Sequence, residues 1–93
     1  AAAAIEAFKK AIELKPDYDQ ACNNLGVEYV VLGRNEEALA AFNKAVEINP
    51  RFSGAYKNLG KFYSDRGDRQ SATLYYRKAG QADLAGSISS KTQ

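Results

Sequence analysis

The sequence contains no histidine, no tryptophan and no methionine, and it has one cysteine and two prolines among 93 residues. Without histidine, the usual Ser–His and Cys–His catalytic pairs cannot form. No glycine cluster follows a strand-like segment, which excludes a phosphate-cradling loop of the nucleotide-binding type. No run approaches 18 apolar residues, so no membrane span is predicted. The sequence therefore predicts a protein that is not an enzyme and that holds no cofactor and no metal.

The single cysteine, Cys22, cannot form an internal disulfide. It shares a helical face with Leu25 and Tyr29, and we interpret it as a small buried apolar residue. A reactive or metal-bound thiol would need basic or ligating neighbours. The absence of internal disulfides favours a reducing compartment such as the cytoplasm.

The charge balance argues against nucleic acid as a partner. The formal net charge is +2, and most basic residues are scattered with acids between them. Apolar residues make up 45% of the chain, which is typical of a folded domain. A chain of this length forms one small domain with a barely adequate core.

The chain repeats itself at a fixed spacing of 34 residues. The residues that recur are Tyr29 as Tyr63, Gly26 as Gly60, Gly33 as Gly67, Ala38 as Ala72, Phe42 as Tyr76 and Ala45 as Ala79. Upstream, Ala4, Phe8, Ala11 and Pro16 precede Ala38, Phe42, Ala45 and Pro50 by the same spacing. Such a period is the mark of stacked helical repeats.

Apolar periodicity and helix breakers predict five helices. They span residues 4–16, 18–32, 35–48, 53–65 and a fifth from about 68, with a continuation to about Leu84 as one alternative for its end. Pro16 and Pro50 stop the first and third helices, because proline restricts the preceding residue to an extended conformation.

Turn residues predict how the helices begin and end. Asp17 is expected to cap the second helix, with Gln20 as its capping-box partner. Gly33 is expected to end that helix in a left-handed turn, since glycine has no Cβ to clash there. Further caps are predicted at Asn35, Asp65 and Asp68.

The series Cys22-x-x-Leu25-Gly26-x-x-Tyr29, followed by Ala38-x-x-x-Phe42 and Pro50, resembles the tetratricopeptide repeat. A second copy contains Leu59-Gly60-x-x-Tyr63 and Ala72-x-x-x-Tyr76. The resemblance implies an all-α, right-handed α-α superhelix, a solenoid of antiparallel helix pairs with five helices. It places the back helix of a partial repeat at residues 4–16 and full repeats at 19–50 and 53–82. Residues 83–93 are expected to form a flexible tail.

Packing within such an array explains the repeated residue types. Large rings at Phe8, Phe42 and Tyr76 are expected to fill the space between adjacent helix pairs. Glycine inside a helix costs about 1 kcal/mol relative to alanine. Gly26 and Gly60 therefore indicate a close approach by another helix.

The resemblance further implies that the second and fourth helices line a concave groove that binds an extended peptide of a protein partner. The groove residues are then Gln20, Asn23, Asn24, Val27, Lys57, Asn58 and Lys61. A carboxamide at Asn24 or Asn58 can bond both ends of a peptide unit, although it could equally brace neighbouring helices. Lys57 and Lys61 form a basic spot that favours acidic peptides, or simply a solvated face.

A second hypothesis is self-assembly. The first helix lacks a preceding front helix in this sequence, so Ile5, Phe8 and Ile12 are expected to be partly uncovered. An apolar face of this kind marks an interaction site or a truncation. This hypothesis predicts a homo-oligomer formed through uncapped ends.

Overall fold

The computed structural model describes the backbone of residues 2–15 and 17–92 and the side chains of residues 3–15 and 17–84. Its described residues form helices and no strands, so the chain is all-α as predicted. The helices are α1 (Ala2–Leu14), α2 (Asp19–Val31), α3 (Asn35–Ile48), α4 (Ser53–Asp65) and α5 (Arg69–Thr92). Within each unit neighbouring helices pack antiparallel, α1 against α2, α2 against α3, and α4 against α5, and the contacts divide the helices into two units. Unit 1 (Ala1–Asn49) holds α1 to α3, and unit 2 (Pro50–Gln93) holds α4 and α5.

The predicted bounds of α3 and α4 are confirmed, whereas those of α1, α2 and α5 need correction. α2 is one residue shorter at each end than expected, and α1 runs from Ala2 to Leu14 instead of from 4 to 16. Pro16, which was expected to stop α1, lies outside the described residues.

α5 is longer than either expectation, the decay of the pattern after Ala79 or the alternative continuation to about Leu84, because the backbone stays helical to Thr92. No proline follows Pro50, so no residue of α5 lacks the N–H that the helix needs. Gly80 and Gly86 each weaken the helix by about 1 kcal/mol but do not interrupt it. The predicted division into repeats and a flexible tail stays a prediction.

Two glycine turns close the α2 and α4 helices in the same way, as predicted. Gly33 and Gly67 have φ of +74° and +78°. The Gly33 N–H donates to the Val30 carbonyl at 3.0 Å, and the next N–H, of Arg34, reaches back to the Tyr29 carbonyl at 2.8 Å. This pair of bonds is the Schellman arrangement, which satisfies carbonyls that the helix end would otherwise leave unpaired.

Helix starts agree less well with the predicted caps. Asp68 accepts bonds from the Ser71 N–H at 3.1 Å and the Ser71 hydroxyl at 2.8 Å, which confirms it as the cap of α5. The cap predicted at Asn35 is wrong, because Asn35 is already the first helical residue of α3.

The cap predicted at Asp17 is also wrong. α2 follows Tyr18 without a side-chain cap, and Asp19 instead bonds the Gln20 N–H at 2.8 Å. The carboxylate at the start of α2 is thus that of Asp19, in the first turn of the helix, and not that of Asp17. The helix dipole favours negative charge at this place. Asp65, a further predicted cap, instead pairs with Lys61.

The core of unit 1 is built from α2 and α3, with Ile5 contributed by α1. Its buried apolar residues are Ile5, Ala21, Cys22, Leu25, Tyr29, Ala38, Ala41, Phe42 and Ala45. Ala38 and Ala45 are fully buried, and such small side chains allow helices to approach closely. At one edge of unit 1, the Asn49 amide donates to the Asp19 carboxylate at 2.9 Å.

The core of unit 2 lies between α4 and α5, with Ala55, Leu59, Phe62, Ala72 and Ala79 buried. Beside it, the rings of Tyr63 and Tyr75 stack in parallel with their centroids 5.5 Å apart. The expectation that Tyr76 is a filling core ring is wrong, since 46% of it is exposed.

Candidate peptide-binding surface

One exposed stripe of α2 carries three of the four groove residues predicted there. Gln20, Asn24, Val27 and Val31 follow one another at intervals of four, three and four residues, so they lie along one side of the helix. Val27 is 39% exposed and Val31 is 69% exposed. This stripe, called the α2 face below, offers two carboxamides at one end and an apolar surface at the other.

The fourth predicted residue of α2, Asn23, does not belong to this face. Only 9% of it is exposed, so it is the one buried polar residue among the described part of the chain. It lies one residue before Asn24 and therefore about 100° around the helix, on a side that the fold covers. Its buried side-chain atoms all have hydrogen-bond partners, which indicates a packing role.

Lys57 and Lys61, the two residues of the predicted basic spot on α4, each lie beside a carboxylate. The Lys57 ammonium lies 3.7 Å from the Asp83 carboxylate of α5. The Lys61 ammonium lies 3.0 Å from the Asp65 carboxylate one turn further along α4. Both pairs are largely exposed, and exposed pairs of this kind contribute about 0–1 kcal/mol to stability. A partner could therefore replace either carboxylate at little cost.

Asn24 and Asn58 differ in solvent exposure, although they occupy equivalent positions in the repeat. Asn24 is exposed, whereas Asn58 is half-buried. The carboxamide of Asn24 is accordingly the more accessible of the two for a peptide backbone.

The apolar stripe of α1 differs from the expected uncovered face. Ile5 is only 3% exposed, because its side of α1 packs against α2, and Phe8 and Ile12 are half-buried. Leu14 is instead the most exposed large apolar residue of α1, at 78%. The face predicted for self-assembly is thus reduced to Phe8 and Ile12.

Unit 1 also contains a shallow apolar cleft of about 300 Å³, lined by Ile12, Cys22, Leu25, Tyr29, Glu37, Ala40, Ala41 and Lys44. Cys22 is 1% exposed at its base, which confirms the prediction that this cysteine is a core residue. Burial raises the pKa of the Cys22 thiol, with a smaller opposing effect from Lys44. A thiol in this state is a poor nucleophile at neutral pH.

A pocket of about 330 Å³ in unit 2 was missed by sequence reasoning. It is lined by Pro50, Arg51, Tyr56, Lys78, Gln81 and Ala82. Arg51 and Lys78 are 27 positions apart in the chain, and only the pairing of α4 with α5 brings them together. The 34-residue period could have drawn attention to this pocket. The positions equivalent to Arg51 and Gln81 in the preceding repeat are the acids Asp17 and Glu47, so the two repeats differ in charge there.

The described part of the chain contains no group of three or more histidine, cysteine or acidic side chains placed to hold a metal ion. None of its described helices combines the length and the apolar character that crossing a bilayer requires.

Comparison with known proteins agrees with this architecture. Three family models, each described as a tetratricopeptide repeat, match residues 1–18, 20–52 and 41–85. None of the curated proteins compared with the chain matches it significantly.

Solved structures of MamA are similar to the chain over most of its length. A crystal structure of MamA is 32% identical over 90% of this chain and 49% of its own, with a TM-score of 0.82. A second crystal structure of MamA protein has 32% identity and a TM-score of 0.78, over 90% of this chain and 46% of its own. A third structure, MamA MSR-1 C2, shares the fold at 24% identity, with a TM-score of 0.78 over 88% and 47%. The chain thus spans about half the length of these structures. Since the repeat models together extend from residue 1 to residue 85 apart from residue 19, the chain belongs to the tetratricopeptide repeat family.

Proposed function

We propose that this chain is a non-catalytic interaction module that binds an extended peptide segment of a protein partner through its front helices, with the exposed face of α2 in unit 1 as the main contact surface. Tetratricopeptide repeats stack into extended concave surfaces of the kind that bind protein partners. The observation that carries the proposal is the composition of the α2 face. It exposes carboxamides and valine side chains together on one side of a rigid helix.

Each part of the α2 face has a use in peptide binding. The Asn24 carboxamide can donate to a peptide carbonyl and accept from a peptide N–H at the same time. Val27 and Val31 lie beyond it and can cover an apolar side chain of the peptide. On α4, Lys57 and Lys61 can exchange their present carboxylate partners for acidic residues of the peptide. The expected ligand of the α2 face is therefore an extended peptide with apolar residues, and α4 by itself favours acidic residues.

Peptide display against the whole chain, followed by calorimetry of the selected peptides, tests this proposal. Asn24→Ala should weaken binding about three- to tenfold, the usual effect of losing one or two hydrogen bonds, and should leave the unfolding midpoint unchanged. Asn43→Ala is the matched control, because Asn43 is an exposed asparagine on α3. If Asn24→Ala and Asn43→Ala bind all selected peptides as tightly as the native chain, the α2 face is not the binding site.

Self-assembly through α1 is the competing function, and sedimentation equilibrium over a wide concentration range separates it from peptide binding. Only Phe8 and Ile12 of the predicted face retain exposure, and Phe8→Glu should then give monomers. An oligomer that persists in Phe8→Glu would rule out assembly through this helix. A chain that is monomeric throughout would leave peptide binding as the function to be tested.

A further inference from the structure

We propose that the apolar cleft of unit 1, called the unit 1 cleft below, is a binding site for the side chain of a tyrosine in a partner protein. Residues of α1, α2 and α3 line it, and those from α2 are Cys22, Leu25 and Tyr29. At 100° per residue they point about 180° away from residues 20, 24, 27 and 31 of the α2 face. The site therefore lies on the opposite side of α2 from the proposed peptide-binding surface and does not depend on it.

The unit 1 cleft is lined by small side chains at positions where the second repeat has large ones. The small lining residues are Cys22, Ala40 and Ala41. The residues 34 positions later are Tyr56, Leu74 and Tyr75. Two aromatic rings and one leucine side chain of the second repeat thus have no counterpart in unit 1, and the cleft lies where they are missing.

Unit 2 shows which group fits beside the conserved ring of the repeat. There, the position equivalent to Ala41 is Tyr75, and its ring lies parallel to the Tyr63 ring with the centroids 5.5 Å apart. Tyr63 is in turn the equivalent of Tyr29, which lines the unit 1 cleft. Offset stacking at this separation is a favourable arrangement of two aromatic rings. A partner's ring can therefore take beside Tyr29 the place that Tyr75 takes beside Tyr63.

The charge at the rim of the cleft is complementary to such a ring. Lys44 lines the cleft, and its equivalent in unit 2 is Lys78. The Lys78 ammonium lies 5.7 Å from the centre of the Tyr75 ring, a distance at which the ring face attracts a cation. The Lys44 ammonium lies 4.0 Å from the Glu47 carboxylate in an exposed pair, and exposed pairs are weak. Lys44 can therefore turn to a bound ring and donate to the hydroxyl of a tyrosine.

Arg34 holds the other charged residue at the rim. Its guanidinium donates to both carboxylate oxygens of Glu37, with 2.7 Å between Nε and Oε1. It also lies 4.9 Å from the centre of the Tyr29 ring. Glu37 lines the cleft whereas Arg34 does not, so the guanidinium covers Tyr29 from outside the cleft. The Glu37 carboxylate is thus already engaged and does not compete with a bound ring for Lys44.

The size of the cleft favours a single side chain over a larger ligand. Its volume of about 300 Å³ is at the lower limit of the range of about 300–1,000 Å³ that small-molecule sites occupy. A side chain can enter such a shallow cleft while the backbone that carries it stays outside. The expected occupant is therefore a tyrosine presented by a partner segment.

A titration of the ¹⁵N-labelled full chain with N-acetyl-tyrosine amide tests this proposal. The compound carries the side chain between two peptide units, as a partner segment does, and N-acetyl-leucine amide is the reference. We expect saturable shifts of the backbone amide signals of Cys22, Tyr29, Ala41 and Lys44 with the tyrosine derivative. The leucine derivative should bind about two- to tenfold more weakly, since it cannot form the aromatic pair.

Variants that fill the cleft decide whether it is the site. Ala41→Tyr should abolish binding, because it supplies from within the chain the ring that Tyr75 supplies in unit 2. Ala40→Leu narrows the cleft at an exposed residue, where folding is retained, and should weaken binding. Ala7→Leu is the matched control, since it makes the same change on an exposed residue of α1 outside the cleft.

Two further variants separate the contributions. Lys44→Gln should weaken binding about two- to fivefold, the usual effect of one exposed cation–π contact. Asn24→Ala should leave binding of the tyrosine derivative unchanged, because Asn24 belongs to the α2 face. A failure of the cleft and a failure of the α2 face can therefore be told apart.

Binding that is lost in Ala41→Tyr, weakened in Ala40→Leu and unchanged in Ala7→Leu supports the site. If Ala41→Tyr does not fold, the comparison of Ala40→Leu with Ala7→Leu decides. The proposal is overturned if the cleft amides do not shift with the tyrosine derivative, or if Ala40→Leu binds it as tightly as Ala7→Leu. Equal affinity for the leucine derivative would also overturn it, because the cleft would then accept any apolar side chain.

Discussion

The backbone of Gly26 lies directly against the ring of Phe42. A Cβ atom at Gly26 would be 2.6 Å from both Cδ1 and Cε1 of that ring, far inside ordinary carbon contact. The equivalent pair in unit 2 is Gly60 and Tyr76, where a Cβ would be 2.9 Å from Cδ1. The Phe42 ring is enclosed by the core, since only 1% of it is exposed, whereas the Tyr76 ring is 46% exposed and has room to move.

Gly26→Ala should therefore destabilise the chain by about 1–2 kcal/mol. Overpacking a closed core costs about 1–3 kcal/mol, and the better helix propensity of alanine returns at most about 1 kcal/mol. Urea unfolding followed by circular dichroism measures the change. Gly60→Ala is the control and should cost less, since the exposed ring of Tyr76 can move aside. Equal losses in the two variants would contradict this account.

Gly33→Ala should lower stability by about 1 kcal/mol through the backbone alone. No atom lies within 4 Å of a Cβ at Gly33, but its φ of +74° is unfavourable for any residue with a side chain. Gly80→Ala is the contrasting variant, because Gly80 lies inside α5 with open space around it. Alanine there should raise the thermal midpoint. A stabilising Gly33→Ala would show that the turn does not require glycine.

Removal of the α5 cap should have an effect that depends on pH. The bonds donated by the N–H and the hydroxyl of Ser71 lower the pKa of Asp68 below its usual value. A lowered pKa means that the ionised carboxylate stabilises the folded state above the pKa of the unfolded chain, about 3.9. This contribution is lost as the pH falls through the lower pKa of the folded state.

Asp68→Ala should accordingly be less stable than the native chain at pH 6, and the difference should shrink at pH 2–3. Urea unfolding at a series of pH values measures both stabilities. Ser71→Ala removes one of the two donors and should show a smaller pH dependence. A stability difference that stays constant from pH 6 to pH 2 would contradict a role for the carboxylate charge.

The Cys22 thiol should react slowly with alkylating reagents in the folded chain and quickly in urea. The side chain is 1% exposed, and burial raises its pKa, so little accessible thiolate is present at neutral pH. Iodoacetamide labelling followed by mass spectrometry measures both rates. Ala40→Cys in a Cys22→Ala background is the control, because Ala40 is an exposed residue of α3. Similar folded-state rates for the two thiols would show that Cys22 is accessible.

The sequence period was sufficient to predict most of the fold. The bounds of α3 and α4 follow directly from glycine, proline and the apolar stripe, and Gly33 and Gly67 adopt the predicted left-handed turns. The start of α2 was harder to predict. Asp17 and Asp19 both lie near it, and a choice between two nearby acids depends on backbone geometry. The end of α5 was missed because no proline or clear cap marks it.

The surface was less predictable than the core. The 34-residue match placed Asn24 and Asn58 at equivalent positions, yet only Asn24 is exposed. The match also gave no indication that Lys57 would pair with Asp83, since that contact joins two helices. Core positions can be predicted from periodicity, because the buried side of each helix recurs at a fixed spacing. The partners of exposed side chains depend on distances between helices, and these are defined only in the folded chain.

The hydrogen bond between Asn49 and Asp19 has a consequence for the dynamics of unit 1. It joins the first residue of α2 to the residue that follows α3, 30 positions away. Neither end can then fray without breaking a contact of the other, and both should exchange their amide hydrogens with solvent in a single cooperative opening. At this edge, unit 1 should open as one exchange unit even though two different helix ends meet there.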